Sequence, residues 1–503
     1  MKLKRKHPQL PALLIVALCA TASASLAAEQ ADDSRAQERQ AAFALLRSGK
    51  ASQAADAFAG LLERDALDVR AIEGRGLSLL ASQQWRAALE EARQHHERLP
   101  DDSRVRSLLG QALFRAGRLD EIGPLLEQDA SRENAPARTL LVLGRLRLAE
   151  GREEEAIRLM ERAVAAAPEE REVLYWAGGA TNTRAEAVRR LEGYLALSEG
   201  DDPDRIESAK GSVDILRALG EQVVWEAVKT PERVELPLTR IWDTTTGRTQ
   251  GFVVRVRVGA KGKRVPLLLD SGSPGFYVIE RVARKCGFKP LAERTSFGGG
   301  GDRRHRITRG TFETVEMGGL RFRNALASTS RQELDATGRY HGLLGIAVFN
   351  GYRVTLDWKR GRLLLDPAET AAQGDPYWTV EGQMLVRAEL NGADSGLFLF
   401  DSGATHSAVN MELAASLEGA KLGPATVVHG FGGQVSGSRR LEGVEVKLQE
   451  LSNGRAALNA TDFSTRSRLS AVEVSGFLGL DLLGDSVTVI DTDSRRVTLR
   501  GGD

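Results

Sequence analysis

One pattern occurs twice in the C-terminal half, and it restricts the fold more than any bulk property does. Val265-Pro266-Leu267-Leu268-Leu269 runs directly into Asp270-Ser271-Gly272. Leu397-Phe398-Leu399-Phe400 runs into Asp401-Ser402-Gly403, 131 residues later. A strand and a turn precede each copy: Phe252 to Val258 with Ala260-Lys261-Gly262-Lys263, and Met384 to Leu390 with Asn391-Gly392. A glycine cluster follows each, Phe297 to Gly301 and then Gly430-Phe431-Gly432-Gly433. Next comes an apolar pair before glycine, Leu343-Leu344-Gly345 and Phe477-Leu478-Gly479, with the two late glycines 134 residues apart. Hairpin-like segments close both copies, Val354 to Leu365 and Val487 to Leu499. A β-rich lobe is therefore expected twice in tandem, over 246–368 and 376–503.

An apolar strand, then Asp-Ser-Gly, then a glycine-tipped segment, then apolar-apolar-Gly resembles the retropepsin-like and pepsin-like aspartic peptidases. The lobe length resembles retropepsins; two lobes in one chain resemble pepsins. The resemblance spans the last half of the chain. It implies an all-β bilobal domain in which Asp270 and Asp401 form a catalytic dyad. Two carboxyls in contact share one proton, because both cannot ionise cheaply. One then activates a water while its protonated partner polarises the scissile carbonyl. Gly272 and Gly403 permit the tight turn that aims each carboxylate inward. Ser271 and Ser402 are expected to bond across to the opposite loop. Gly299, Gly300, Gly432 and Gly433 are expected at flap tips that close over an extended substrate.

The two lobes are not identical. Phe276 stands where the second lobe has Ser407, and Ala347 where it has Asp481. Ser273 has Ala404 as its counterpart. A Ser273 hydroxyl donating to the Asp270 carboxylate would lower its pKa. Asp270 is thus expected to be the more acidic member and Asp401 to carry the shared proton. A third triplet, Asp394-Ser395-Gly396, follows the Asn391-Gly392 turn with no apolar strand before it, and reads as loop.

The N-terminal half has another texture. From about Arg35 to Gly220 the chain is rich in Ala, Leu, Glu and Arg, which favour helix. Gly76, Gly110, Gly144 and Gly178 fall in successive steps of 34, as do Ala54, Ala88, Ile122 and Ala156. Such a period signals stacked helix-turn-helix units. The small residues admit the paired helix, and Gly117 and Gly151 close helices. These residues resemble the tetratricopeptide repeat, which implies a solenoid over 35–220 whose groove binds a peptide or protein segment. Residues 221–245 are expected to be a linker.

Lys2, Lys4, Arg5 and Lys6 precede an apolar run from Leu10 to about Ala20, and Ser25-Leu26-Ala27 suits signal peptidase. Residues 1–27 are read as a signal peptide, which implies export, to a periplasm or beyond, and no transmembrane segment in the mature chain. Cys286 is then the one remaining cysteine. It has no nearby His/Asn constellation, so a buried thiol is expected. A net charge of +1 gives no electrostatic case for nucleic acid. No His-Glu-x-x-His, nucleophile-elbow or phosphate-loop motif is present, and no metal or organic cofactor is expected.

The expectation is an exported aspartic endopeptidase that acts on a protein or peptide, with a repeat region that recruits substrate. The competing reading is a non-catalytic scaffold in which repeats and degenerate lobes both bind extended peptides.

Overall fold

Helix-favouring residues dominate up to Gly220, and they form helices in the computed structural model of the chain. The structure describes residues 33–297, 304–368, 372–430, 433–435 and 437–501. The expected signal segment lies outside them. Two compact units emerge: residues to Leu108 with Glu199–Asp201, and Leu109–Ser198 with Asp202–Asp503.

The first unit contains helices 33–47, Ala51–Arg64, Val69–Ala81 and Trp85–Arg98, with the start of Ser103–Arg115. Their apolar faces meet around Ala54, Phe58, Leu61 and Ala71. Gly76 admits the Leu108 side chain; a Cβ there would stand 2.5 Å from Leu108 Cδ1.

The second unit begins with helices that include Ile122–Ala130, Ala137–Ala149, Glu153–Ala166, Arg184–Ala196 and Pro203–Leu219. Gly117 and Gly151 end their helices at φ +72° and +76°, a conformation that suits glycine. These helices share a unit with the β lobes, so the chain does not divide at residue 220. Ion pairs connect these helices to the lobes. Arg115 Nη1 meets Glu473 Oε2 at 2.8 Å, with both side chains largely shielded. Arg118 meets Asp394 at 2.9 Å, and Arg468 meets Asp204 at 2.8 Å. Helix Pro203–Leu219 also lies close on the strand Lys289–Phe297, where a Cβ on Gly211 would stand 3.0 Å from Arg294 Cβ.

The stretch expected as a linker carries strands Glu226–Lys229, Val234–Pro237 and Thr239–Asp243. They pair with Leu320–Thr329, Arg362–Pro367 and Arg248–Val258 respectively. Trp225 packs edge-on against Phe276 and Phe322. Alternating buried residues, as in Val234 and Leu236, are the sequence sign of this role.

The lobes repeat one topology. In the first, Arg248–Val258 pairs antiparallel with Lys263–Leu269, which pairs parallel with Gly342–Leu344. In the second, Gln383–Leu390 pairs antiparallel with Ala393–Phe400, which pairs parallel with Gly476–Leu478. The register matches as well: Leu269 faces Leu344, and Phe400 faces Leu478. The closing hairpins of both lobes merge into one six-stranded sheet through Tyr352–Asp357 and Ser486–Asp491. A continuous buried cluster runs from Val254, Leu267 and Phe312 to Phe398, Phe400 and Leu478.

Candidate active site

Each Asp-Ser-Gly turn sits where its apolar strand ends, and a neighbouring strand fixes it. The amide of Asp270 donates to the Leu344 carbonyl and that of Asp401 to the Leu478 carbonyl, both at 3.0 Å. The late apolar-Gly segments thus anchor the two turns.

The turns are tied to each other by four reciprocal hydrogen bonds. The Ser271 hydroxyl donates to the Phe400 carbonyl at 2.8 Å and accepts from the Ser402 amide at 2.8 Å. The Ser402 hydroxyl donates to the Leu269 carbonyl at 3.0 Å and accepts from the Ser271 amide at 3.1 Å. Both serines are buried. Buried polar groups with all partners satisfied hold one geometry rather than several. The lock brings the Asp270 and Asp401 carboxyls into mutual hydrogen-bonding contact. Gly272 lies against the Asp401 carboxyl and Gly403 against that of Asp270.

The two carboxyls are electrostatically unequal. Withdrawal from water pushes Asp270 well above the usual carboxylate range, the neighbouring Asp401 charge adds to the effect, and the Gly272 and Ser273 amides oppose it. Burial raises Asp401 as well, opposed by the Gly403 amide, the bond from Asp270, the Ala404 amide and the Arg466 charge. The Gly403 and Ala404 amides reach Asp401 Oδ1 at 2.9 and 3.2 Å. Both carboxyls are thus raised by burial, Asp270 the further of the two, which runs against the expectation that Asp270 is the more acidic member. The Ser273 hydroxyl points to the Gly275 carbonyl at 3.5 Å and not to Asp270. The cation that acts on Asp401, Arg466, comes from a distant helix, Ser464–Ser470.

The lobes' departures form matched sets. In the second lobe the Asp481 carboxylate accepts from the Ser407 amide at 2.9 Å and its hydroxyl at 2.6 Å. That hydroxyl accepts from the Gly479 amide at 2.9 Å. In the first lobe Phe276 fills the corresponding space and packs on Trp225 and Phe312. An aromatic cluster replaces a polar lock.

Gly299, Gly300 and Gly432 lie outside the described residues. Gly433 opens a strand, Gly433–Val435, paired with Val428–Gly430. Val428 and Val435 of this hairpin line the cleft above the dyad. The first lobe's hairpin, Lys289–Phe297 with Arg304–Met317, brings Arg294, Ile307 and Arg309 to the same cleft. The Asp394 triplet stands in the strand Ala393–Phe400 rather than in a loop. Asp394 is exposed and held by Arg387 at 2.8 Å, away from the cleft-lining residues. Cys286 is buried, and burial raises its thiol pKa.

Three site residues carried no sequence signal. Gln383 donates from Nε2 to the Gly272 carbonyl and braces the first turn. Arg466 adds charge near Asp401. Tyr340 lines the cleft beside the dyad. Arg466 and Tyr340 are far from either triplet in sequence, and Gln383 opens the strand before the second triplet with no motif of its own.

The cleft that holds Asp270 and Asp401 measures about 1260 Å³, enough for several residues of an extended chain. Tyr175, Ser208 and Ser212 of the helical segments also line it. Among the described residues no cluster of three or more His, Cys, Asp or Glu could hold a metal ion. No described helix is long and apolar enough to cross a membrane.

Residues 256–351 match the family described as "gag-polyprotein putative aspartyl protease". Residues 386–482 match the family described as "Aspartyl protease". Both matched ranges contain one of the two triplets. An aspartic proteinase from Irpex lacteus is among the similar solved structures, with 13% identity and a TM-score of 0.34 over 54% of this chain and 98% of that one. No curated protein sequence matches the chain.

Proposed function

We propose that this protein is an aspartic endopeptidase that hydrolyses peptide bonds with water activated by Asp270 and Asp401. The observation that carries the reading is the contact between these carboxyls at the floor of an extended cleft, each from a lobe that matches an aspartyl protease family. Asp401, the more acidic member, takes a proton from the attacking water. Asp270, protonated, hydrogen-bonds the scissile carbonyl oxygen and stabilises charge as it develops there. The proton then passes to the leaving nitrogen. The serine lock keeps both carboxyls in register, so little reorganisation accompanies the reaction.

The helices to Leu219 carry the 34-residue period, and we assign them to recruiting a protein or peptide partner in the manner of tetratricopeptide repeats. The basic-then-apolar N-terminus supports export, with the periplasm as the destination.

Cleavage of a mixed peptide library by the full chain, compared with Asp270→Asn and Asp401→Asn, tests the reading. Both variants should lose at least roughly a thousandfold in rate while keeping the wild-type fold. Peptide binding without cleavage by the wild type would favour the scaffold reading instead.

A further inference from the structure

Six arginines and eight acids line the cleft, and they are not paired one to one. Three of its arginines are paired: Arg205 with Glu172 at 2.7 Å, Arg339 with Asp335 at 3.1 Å, and Arg468 with Asp204 at 2.8 Å. Arg294, Arg309 and Arg466 line the same cleft and have no carboxylate salt bridge among the described residues. The acids facing them are engaged or exposed. Glu207 takes a hydrogen bond from Thr295, and Glu333 is bound by Arg281 at 2.7 Å. Glu381 and Asp462 are exposed.

Arg294 and Arg309 stand together. Arg294 is opposite Ile307 and Ala292 is opposite Arg309 across the first-lobe hairpin. Opposed residues share a face, so Arg294, Ile307 and Arg309 project from one side, the side that lines the cleft. Arg309 spends one donor on the Ser328 hydroxyl at 2.9 Å. Its Nε is buried with no hydrogen-bond partner. Burial, with the Arg294 charge beside it, lowers the Arg309 pKa to about 10. Two like charges at a partly desolvated place are costly, and an anion bound beside them relieves the repulsion. The planar fork of arginine suits a carboxylate.

We propose that the cleft selects peptides bearing an aspartate or glutamate side chain, received by Arg294 and Arg309 on the first-lobe hairpin. The inference rests on the peptidase reading but is tested by binding. Labelled extended peptides that differ only in Glu, Gln or Lys at one position are titrated into the full-length Asp401→Asn protein and followed by fluorescence anisotropy. The Glu peptide should bind roughly tenfold or more tighter than the Gln peptide, and the Lys peptide weakest. Arg309→Gln or Arg294→Gln on this background should remove most of that advantage, with the melting temperature recorded alongside. Arg294→Gln serves if Arg309→Gln does not fold. Equal binding of Glu and Gln peptides, or an undiminished preference in the variants, overturns the selection of acidic peptides. Wild-type cleavage of the Gln peptide at the rate of the Glu peptide does so too and leaves the peptidase reading standing.

Discussion

Gly272 sits directly on the carboxyl of Asp401: a Cβ at that position would stand 2.5 Å from Asp401 Cγ. Gly403 repeats the arrangement against Asp270, with the Cβ 2.6 Å from its Cγ. Each turn therefore leaves room for the other's acid, and only a residue without a side chain leaves enough. Gly272→Ala and Gly403→Ala should each cost roughly a hundredfold or more in peptide cleavage, because the carboxyls must part. The far-ultraviolet spectrum should remain native. Near-wild-type rates in either variant would contradict the packing.

Ser271 and Ser402 each satisfy a carbonyl and an amide of the opposite lobe. Replacing either with alanine leaves two buried backbone groups without partners. Urea unfolding should show a loss of roughly 1–3 kcal/mol for each variant. The double variant should fall short of the sum, since both serines belong to one network.

Arg466 is the cation that favours ionised Asp401. Arg466→Met removes that support, so Asp401 holds its proton to higher pH. The acidic limb of the rate profile should move upward, with the shift belonging to the coupled pair. A limb that stays in place or moves down would remove Arg466 from the assignment.

The raised pKa of Asp270 also fixes the sign of a stability effect. A carboxyl with its folded pKa above the unfolded one favours the fold below the ordinary carboxylate range. That contribution is lost as pH rises through the folded value. Asp270→Asn, which cannot ionise, should therefore raise the melting temperature at pH 7 by on the order of a degree or two. It should change little at pH 3. Thermal scans at both values decide the matter.

The pairing of the triplets was legible because strand, acid and glycine are contiguous: Leu267 to Gly272 states the whole local design, and Leu397 to Gly403 repeats it. Pairing between distant strands was not. Arg353 faces Asp491 across the shared sheet, and nothing near either residue names the other. Trp225 looked like linker because its partners, Phe276 and Phe322, are 51 and 97 residues away. Ser273 misled for a different reason. Its backbone amide, and not its hydroxyl, bonds Asp270 and lowers its pKa; the hydroxyl lies 3.5 Å from the Gly275 carbonyl. The one cation that acts on Asp401 among the causes of its shift is Arg466, 65 residues past it.

The merged closing hairpins make the two halves depend on each other. Split from its companion, either half would present a raw strand edge along Tyr352–Asp357 or Ser486–Asp491, and such edges recruit another chain. A free-standing half would need a twin to be complete. In one chain each half closes the other's edge, so the two need not be identical: one has Ser407 with Asp481, and the other has Phe276 with Ala347.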